Sequence, residues 1–134
     1  PFIDFEMGDI NDNWIKLSSV KSKVVLLEFW ASNCGPCRME NPSLVKTYKA
    51  YHPKGFEILS VSLDKKKEQW LKAIEEDSLP WIHVSDLQGA FNEASLIYGV
   101  QGIPDNFLIS ENGVIVGRNL RGEDLNSKLA KILN

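Results

Sequence analysis

The chain is poor in cysteine and histidine and has no long hydrophobic run. Its 134 residues include two cysteines and two histidines. Two cysteines are too few to make a disulfide-stapled scaffold, and a chain of this length can bury a core without them. They leave the redox compartment open. Tetrahedral zinc needs four ligands. Beyond the cysteine pair only His52 and His83 offer themselves, with no convergent spacing, so no metal site is expected and each histidine reads as a surface or boundary residue. No apolar stretch approaches the ~20 residues of a membrane-spanning helix. A net charge of −3 gives no reason to expect nucleic acid or an anionic membrane as partner. The short run Lys65-Lys66-Lys67 reads as a solvated helix start. With 43% hydrophobic and 25% charged residues and no linker or repeat, residues 1–134 read as one globular domain that needs no partner copy, hence a monomer. The first residue is Pro1, not Met, so the chain is expected to derive from a longer precursor, with a removed signal peptide or lipid anchor compatible with it.

Both cysteines fall in one stretch, Glu28-Phe29-Trp30-Ala31-Ser32-Asn33-Cys34-Gly35-Pro36-Cys37. Val24 to Trp30 has the apolar, β-branched look of a strand buried on both faces. After the cysteines, Met39, Leu44, Val45, Tyr48 and Tyr51 recur at helical spacing, predicting a helix over Pro36–Tyr51, kinked at Pro42. Pro36 lies near the first helical position, where a missing N–H costs nothing. The dithiol therefore sits at a strand-to-helix junction. There, unpaired N–H groups and the helix dipole lower a cysteine pKa from about 8.5 to roughly 3.5–7.5, and a two-residue spacing lets the sulfurs bridge. A reactive, reversible dithiol follows. Glu28 interrupts the apolar strand and shares parity with Val24, Leu26 and Trp30. Its carboxyl is expected in or near the core with a raised pKa, suited to taking a proton from Cys37. Glu40 lies three residues beyond Cys37 on the same side of the helix; by spacing alone it is a surface residue of the first helical turn. Trp30 reads as packing beside the dithiol and Arg38 as solvent-facing.

Taken in order, Phe2, Ile3 and Phe5 suggest a short edge strand, and Trp14–Leu17 a hairpin arm returning to it after a turn-rich segment. Phe56–Leu63 reads as a parallel strand, Glu68–Asp77 as a helix, Leu79–Val84 as a short strand and Asn92–Tyr98 as a short helix. Asn106–Ser110 and Val114–Val116 form a hairpin through Asn112-Gly113. Glu123–Leu133 closes the chain as a helix. Parallel units followed by an antiparallel hairpin predict an α/β fold, a mixed sheet with helices on both faces.

These residues resemble the thioredoxin superfamily and, within it, the TlpA/ResA-like thiol-disulfide oxidoreductases of bacterial cell envelopes. Phe29-Trp30-Ala31 before Cys34-Gly35-Pro36-Cys37 matches the thioredoxin signature, Pro42 its helix proline, and Gly102-Ile103-Pro104 before Phe107-Leu108-Ile109 its cis-proline loop. The segment before Pro104 is longer than in a plain thioredoxin by about one helix and one strand, as in the TlpA-like subgroup, and Asn119-Leu120-Arg121-Gly122 is similar to envelope members of Bacteroides-like bacteria.

The resemblance implies a thioredoxin-like fold with a helix-strand insertion before the cis proline. It implies dithiol-disulfide exchange with no cofactor beyond the Cys34–Cys37 disulfide, Cys34 as nucleophile and Cys37 as resolving thiol. Glu28 is implied as the buried acid, Glu40 as an active-site glutamate and Pro104 as the cis proline. Trp30, Gly35, Pro36 and Ile103 are implied at the substrate side. Protein disulfides or dithiols would be the substrates, an upstream thiol the electron donor, and the periplasm or cell envelope the location. The Gly-Pro pair between the cysteines resembles reducing thioredoxins more than oxidising DsbA-type proteins. Two positions depart from the pattern. Asn33 replaces the usual Trp beside the first cysteine, and Ser60 stands where thioredoxins carry a lysine beside the buried acid. Two other classes remain in view. One is a peroxiredoxin-type thiol peroxidase, which needs a Thr and an Arg at its cysteine. The other is a non-catalytic thioredoxin-like binding module, which has no need of both sulfurs.

Overall fold

Val24–Trp30 forms the central strand because every one of its seven residues is buried, a pattern only a strand covered on both faces can sustain. The computed structural model describes residues 2–134. In chain order the elements are β1 (Glu6–Gly8), β2 (Trp14–Lys16), β3 (Val24–Trp30), α1 (Gly35–Tyr51), β4 (Phe56–Ser62), α2 (Lys67–Glu76), β5 (Ile82–Val84), α3 (Glu93–Ile97), β6 (Asp105–Ser110), β7 (Ile115–Arg118) and α4 (Gly122–Leu133). The main sheet has the order β5-β4-β3-β6-β7, with β1 and β2 forming a separate hairpin. β3 pairs in parallel with β4, placing Glu28 opposite Ser60, and antiparallel with β6, placing Glu28 opposite Asn106. This is the expected mixed sheet in a thioredoxin-like α/β fold.

Strand parity splits the interior in two. Val24, Leu26 and Trp30 join Phe56, Ile58 and Leu108 under α1, α2 and α4 in a cluster that includes Cys37. Leu27 and Phe29 join Leu59, Val61, Phe107 and Ile109 under the β1–β2 hairpin and α3. A fully buried side chain of this size contributes about 1.5–3 kcal/mol, which allows the first face to hold a carboxylate as well.

The edges differ from expectation where the backbone found other partners. Phe2–Phe5 is not a strand. The Ile3 N–H donates to the Tyr98 hydroxyl at 3.1 Å and the same hydroxyl donates to the Ile3 carbonyl at 2.6 Å, so this segment pairs with a side chain at the end of α3. The hairpin forms one step later, at Glu6–Gly8, around a turn in which the Asp9 carboxylate accepts from the backbone of Asn11 and Asn13. Strand β5 is shorter than Leu79–Val84, because the Leu79 N–H closes α2 by donating to the Ile74 carbonyl and Pro80 has no N–H to give. His83 is a further correction. It is buried, its ring stacked on Trp81 at 5.8 Å and near Trp30 at 6.1 Å, and burial pushes its imidazole down to about 4, so it stays neutral.

Candidate active site

Cys34 is the N-cap of α1: its backbone is extended, and its sulfur accepts the Cys37 N–H at 3.2 Å. Pro36 stands in the first turn, where no N–H is needed. The two sulfurs are joined in a disulfide. They are not equivalent. Cys34 is half-buried, with Asn33, Gly35 and Pro36 exposed around it, whereas Cys37 is 1% exposed within the core cluster. An incoming group can reach only the first sulfur.

The loop before the dithiol is held from two sides. Asp64 accepts the Ser32 N–H at 3.2 Å and the Ser32 hydroxyl at 2.5 Å, and also the Ser62 hydroxyl at the end of β4. Arg38 donates to the Ser32 carbonyl at 3.0 Å, to Asp77 at 2.6 Å and to Glu76 at 2.9 Å. It is therefore a brace between the loop and the C-terminal end of α2, not the solvent-facing residue its helical position suggested. Burial pushes the Asp77 carboxyl up, but the hydrogen bonds from Arg38 and Asn41 outweigh it and hold the carboxyl below its usual value.

Glu28 lies at 2% exposure on the face that Cys37 packs against. Its carboxylate accepts the Ser60 hydroxyl at 2.7 Å, and Ser60 Oγ accepts the Trp81 indole N–H at 2.8 Å. No lysine takes the place of that hydroxyl. Burial raises the Glu28 carboxyl to about 7; the Ser60 bond and Arg121 pull against burial, while Glu40 adds to it. Close to neutral pH this group is poised between giving and taking a proton.

The third wall is the Ile103–Pro104 loop, in which the peptide bond is cis. Ile103 and Cys34 both pack on the edge of the cluster containing Cys37 and Trp30. Arg121 donates to the Pro104 carbonyl at 2.7 Å and to Glu40 at 2.6 Å. Glu40 thus does not project into solvent; it meets the proline loop through an arginine. Trp30 is corrected as a substrate contact: it is fully buried and presents no surface to a partner, though it does pack beside the dithiol. The remaining expected residues, Cys34, Cys37, Gly35, Pro36, Glu28, Glu40, Ile103 and Pro104, converge at one end of the sheet.

Residues 1–118 match the model of the AhpC/TSA family. The chain belongs to the AhpC/TSA family. It is similar to the thiol-disulfide oxidoreductase ResA of Geobacillus thermodenitrificans, 33% identical over 132 residues that make up 96% of this chain and 74% of the relative. Among solved structures it superposes on the thiol-disulfide oxidoreductase from Bacteroides fragilis with a TM-score of 0.91 and 34% identity, covering 98% of each chain. The C-terminal domain of a putative thiol-disulfide oxidoreductase from Bacteroides thetaiotaomicron gives 0.90 and 36%, over 98% of this chain and 92% of that one. With the bridged Cys34–Cys37 pair, these likenesses identify a thiol-disulfide oxidoreductase. Arg38, Asp64, Trp81, Asn106 and Arg121 were not singled out by sequence as site residues. For Arg121 a signal existed in the Asn119-Leu120-Arg121-Gly122 stretch, without a role attached to it.

Proposed function

We propose that this oxidoreductase reduces disulfides in protein substrates, in the bacterial cell envelope, and is recharged by an upstream thiol donor. The observation that carries the reading is the unequal sulfur pair on the face that holds Glu28: one sulfur half-exposed at a helix N-terminus, the other buried near a carboxyl of pKa about 7. In the reduced enzyme the Cys34 thiolate attacks a substrate disulfide. A Cys34–substrate bond forms and the first substrate thiolate leaves. Glu28 takes the Cys37 proton, and the Cys37 thiolate attacks Cys34, releasing the second substrate thiolate and closing the Cys34–Cys37 bond. Two electrons pass to the substrate. In this reading Gly35, Pro36 and Ile103 offer the surface on which the substrate backbone lies, and Pro104 follows Ile103 in the cis-peptide loop. No described helix is long and apolar enough to cross a membrane, so placement in the envelope rests on the likeness to envelope oxidoreductases.

The peroxidase alternative lacks its parts. The single threonine, Thr47, is buried on α1, donating to Asn126, and Arg38 is committed to Asp77, Glu76 and Ser32. The deciding experiment is insulin reduction with dithiothreitol, run beside hydrogen peroxide consumption, together with the reduction potential from glutathione equilibration. Insulin turnover and a potential near the thioredoxin end, about −270 mV, support a reductase. A potential near the DsbA end, about −120 mV, makes the enzyme an oxidant. Peroxide consumption alone overturns disulfide exchange, and neither activity leaves a binding module.

A further inference from the structure

The guanidinium of Arg121 joins two walls of the site. Nη2 donates to the Pro104 carbonyl and Nη1 to Glu40 on α1, one turn beyond Cys37. The loop that carries Arg121 is itself fastened to the residues that follow Pro104. Asn106, fully buried, donates through its side chain to the Leu120 carbonyl at 2.9 Å and accepts the Leu120 N–H at 3.0 Å. Its backbone carbonyl accepts the Asn119 N–H at 2.9 Å, and Arg118 pairs with Asp105 at 2.8 Å. Arg121 also meets the side chain of Asn119, whose backbone has a φ of 58°, in the left-handed region Asn tolerates. A side chain this firmly placed, 29% exposed against a Glu40 that is 16% exposed, is not a loose surface ion pair.

We propose that Arg121 is a positioning residue for disulfide exchange: by bridging Pro104 and Glu40 it sets the spacing between the proline loop and the dithiol helix, and it holds a cation paired with Glu40 at the end of the sheet where the proline loop and the dithiol helix meet. The proposal rests on the reading of Glu28 as proton acceptor given above. Around Glu28 the titratable and charged groups are Cys37 and Glu40 on α1, neutral His83 on β5 and Arg121 on the β7–α4 loop. Ser60 and Asn106 flank it uncharged on β4 and β6, and α2 and α4 present Trp70, Ala73, Leu125 and Leu129 to this face. Glu40 and Arg121 are therefore the opposed charges acting on Glu28, and they are held together as a pair. A guanidinium can serve two acceptors at fixed geometry, which an ammonium on a flexible stem cannot do in the same way.

The test combines a carboxyl-carbon NMR titration of Glu28 with exchange kinetics on a protein disulfide, in the unsubstituted chain, Arg121→Lys, Arg121→Gln, Glu40→Gln and the double variant Arg121→Gln/Glu40→Gln. Arg121→Gln moves the Glu28 midpoint up, Glu40→Gln moves it down, and the double variant returns toward the unsubstituted chain. Arg121→Lys keeps the charge and loses the two-point bridge. The midpoint then stays in place while kcat/KM falls on the order of tenfold, chiefly through KM. A midpoint indifferent to Arg121→Gln, or full kcat/KM in Arg121→Lys, overturns the proposal. If Arg121→Gln fails to fold, the different responses expected of Glu40→Gln, a lowered midpoint, and of Arg121→Lys, an unmoved midpoint with reduced kcat/KM, still decide it. Glu28→Gln read alongside separates the two ideas: unchanged exchange kinetics there count against Glu28 as acceptor, whereas the midpoint shifts test Arg121 alone.

Discussion

The two faces of the five-stranded sheet hold different kinds of interior. Under the β1–β2 hairpin and α3 the core is Leu27, Phe29, Leu59, Val61, Phe107 and Ile109, and the aromatic rings of Phe29, Tyr98 and Phe107 meet at 5.0–6.2 Å. Its buried polar neighbours are paired: Asn92 donates to Asp86 and accepts from Ser95. The opposite face is no less buried, but it carries Glu28 and a neutral His83. Trp30 Nε1, Trp70 Nε1 and His83 Nδ1, buried without a partner among the described residues, also belong to its cluster or adjoin it. A buried polar group left unpaired costs about 1–3 kcal/mol. One face is packed for stability, and the other gives up stability to keep a buried carboxyl, the acceptor proposed above, on the face where Cys37 packs.

The largest break in that comparison is Cys34→Ser, which removes the sulfur proposed as nucleophile. Insulin reduction falls to background, whereas no single truncation on the hairpin face abolishes exchange by the folded enzyme. Next comes the reverse substitution, Phe107→Ala. Truncating a 6%-exposed aromatic ring costs about 3–5 kcal/mol in urea unfolding, while the pH dependence of exchange by the folded fraction stays put. Glu28→Gln sharpens the contrast. The folded carboxyl is raised from its ordinary 4.5 to about 7, so the folded state holds its proton more tightly than the unfolded chain. Stability is therefore lost as pH climbs between those two values. The variant escapes that loss: it is more stable above pH 7 by on the order of 3 kcal/mol and gains nothing below about pH 4.5. Its exchange rate falls by up to about a hundredfold. The smallest effect is that of Asp77→Asn, which weakens the Arg38 brace by about 1 kcal/mol, since the pair is partly exposed. The Asp77 carboxyl is held below its ordinary 3.8, so its contribution is present above that pH and lost as pH falls through the lower folded value. The deficit of the variant against the unsubstituted chain closes in acid, which thermal unfolding at pH 7 and pH 2 measures.

Much of this division could be read from strand parity. Val24–Trp30 alternates between the two clusters, and Glu28 stood out because it falls at an inward position. Cys34 and Cys37 carried their own context in the flanking strand, Pro36 and the helical repeat. What stayed hidden depends on partners remote in the chain. Arg38 finds Asp77 across 39 residues and Arg121 finds Glu40 across 81, and nothing in local charge spacing distinguishes either from a solvated arginine. His83 looked like a boundary residue because the rings that bury it come from outside its own segment as well as within it. Ser60 stands out in the sequence for the lysine it replaces. Its role as a hydroxyl bridging Glu28 and Trp81 requires the β3–β4 register, which no single strand reveals.

In the mechanism proposed above, the unequal exposure of the two sulfurs makes the enzyme a ratchet as well as a carrier. A client captured on Cys34 is released by a sulfur that the client itself cannot touch, because Cys37 lies 1% exposed in the core. With Cys37→Ser the pawl is gone and the catch stays covalently hooked at Cys34. The resolving cysteine thus sets how long each client dwells on the enzyme, and its removal turns a transient handshake into a bond that survives purification.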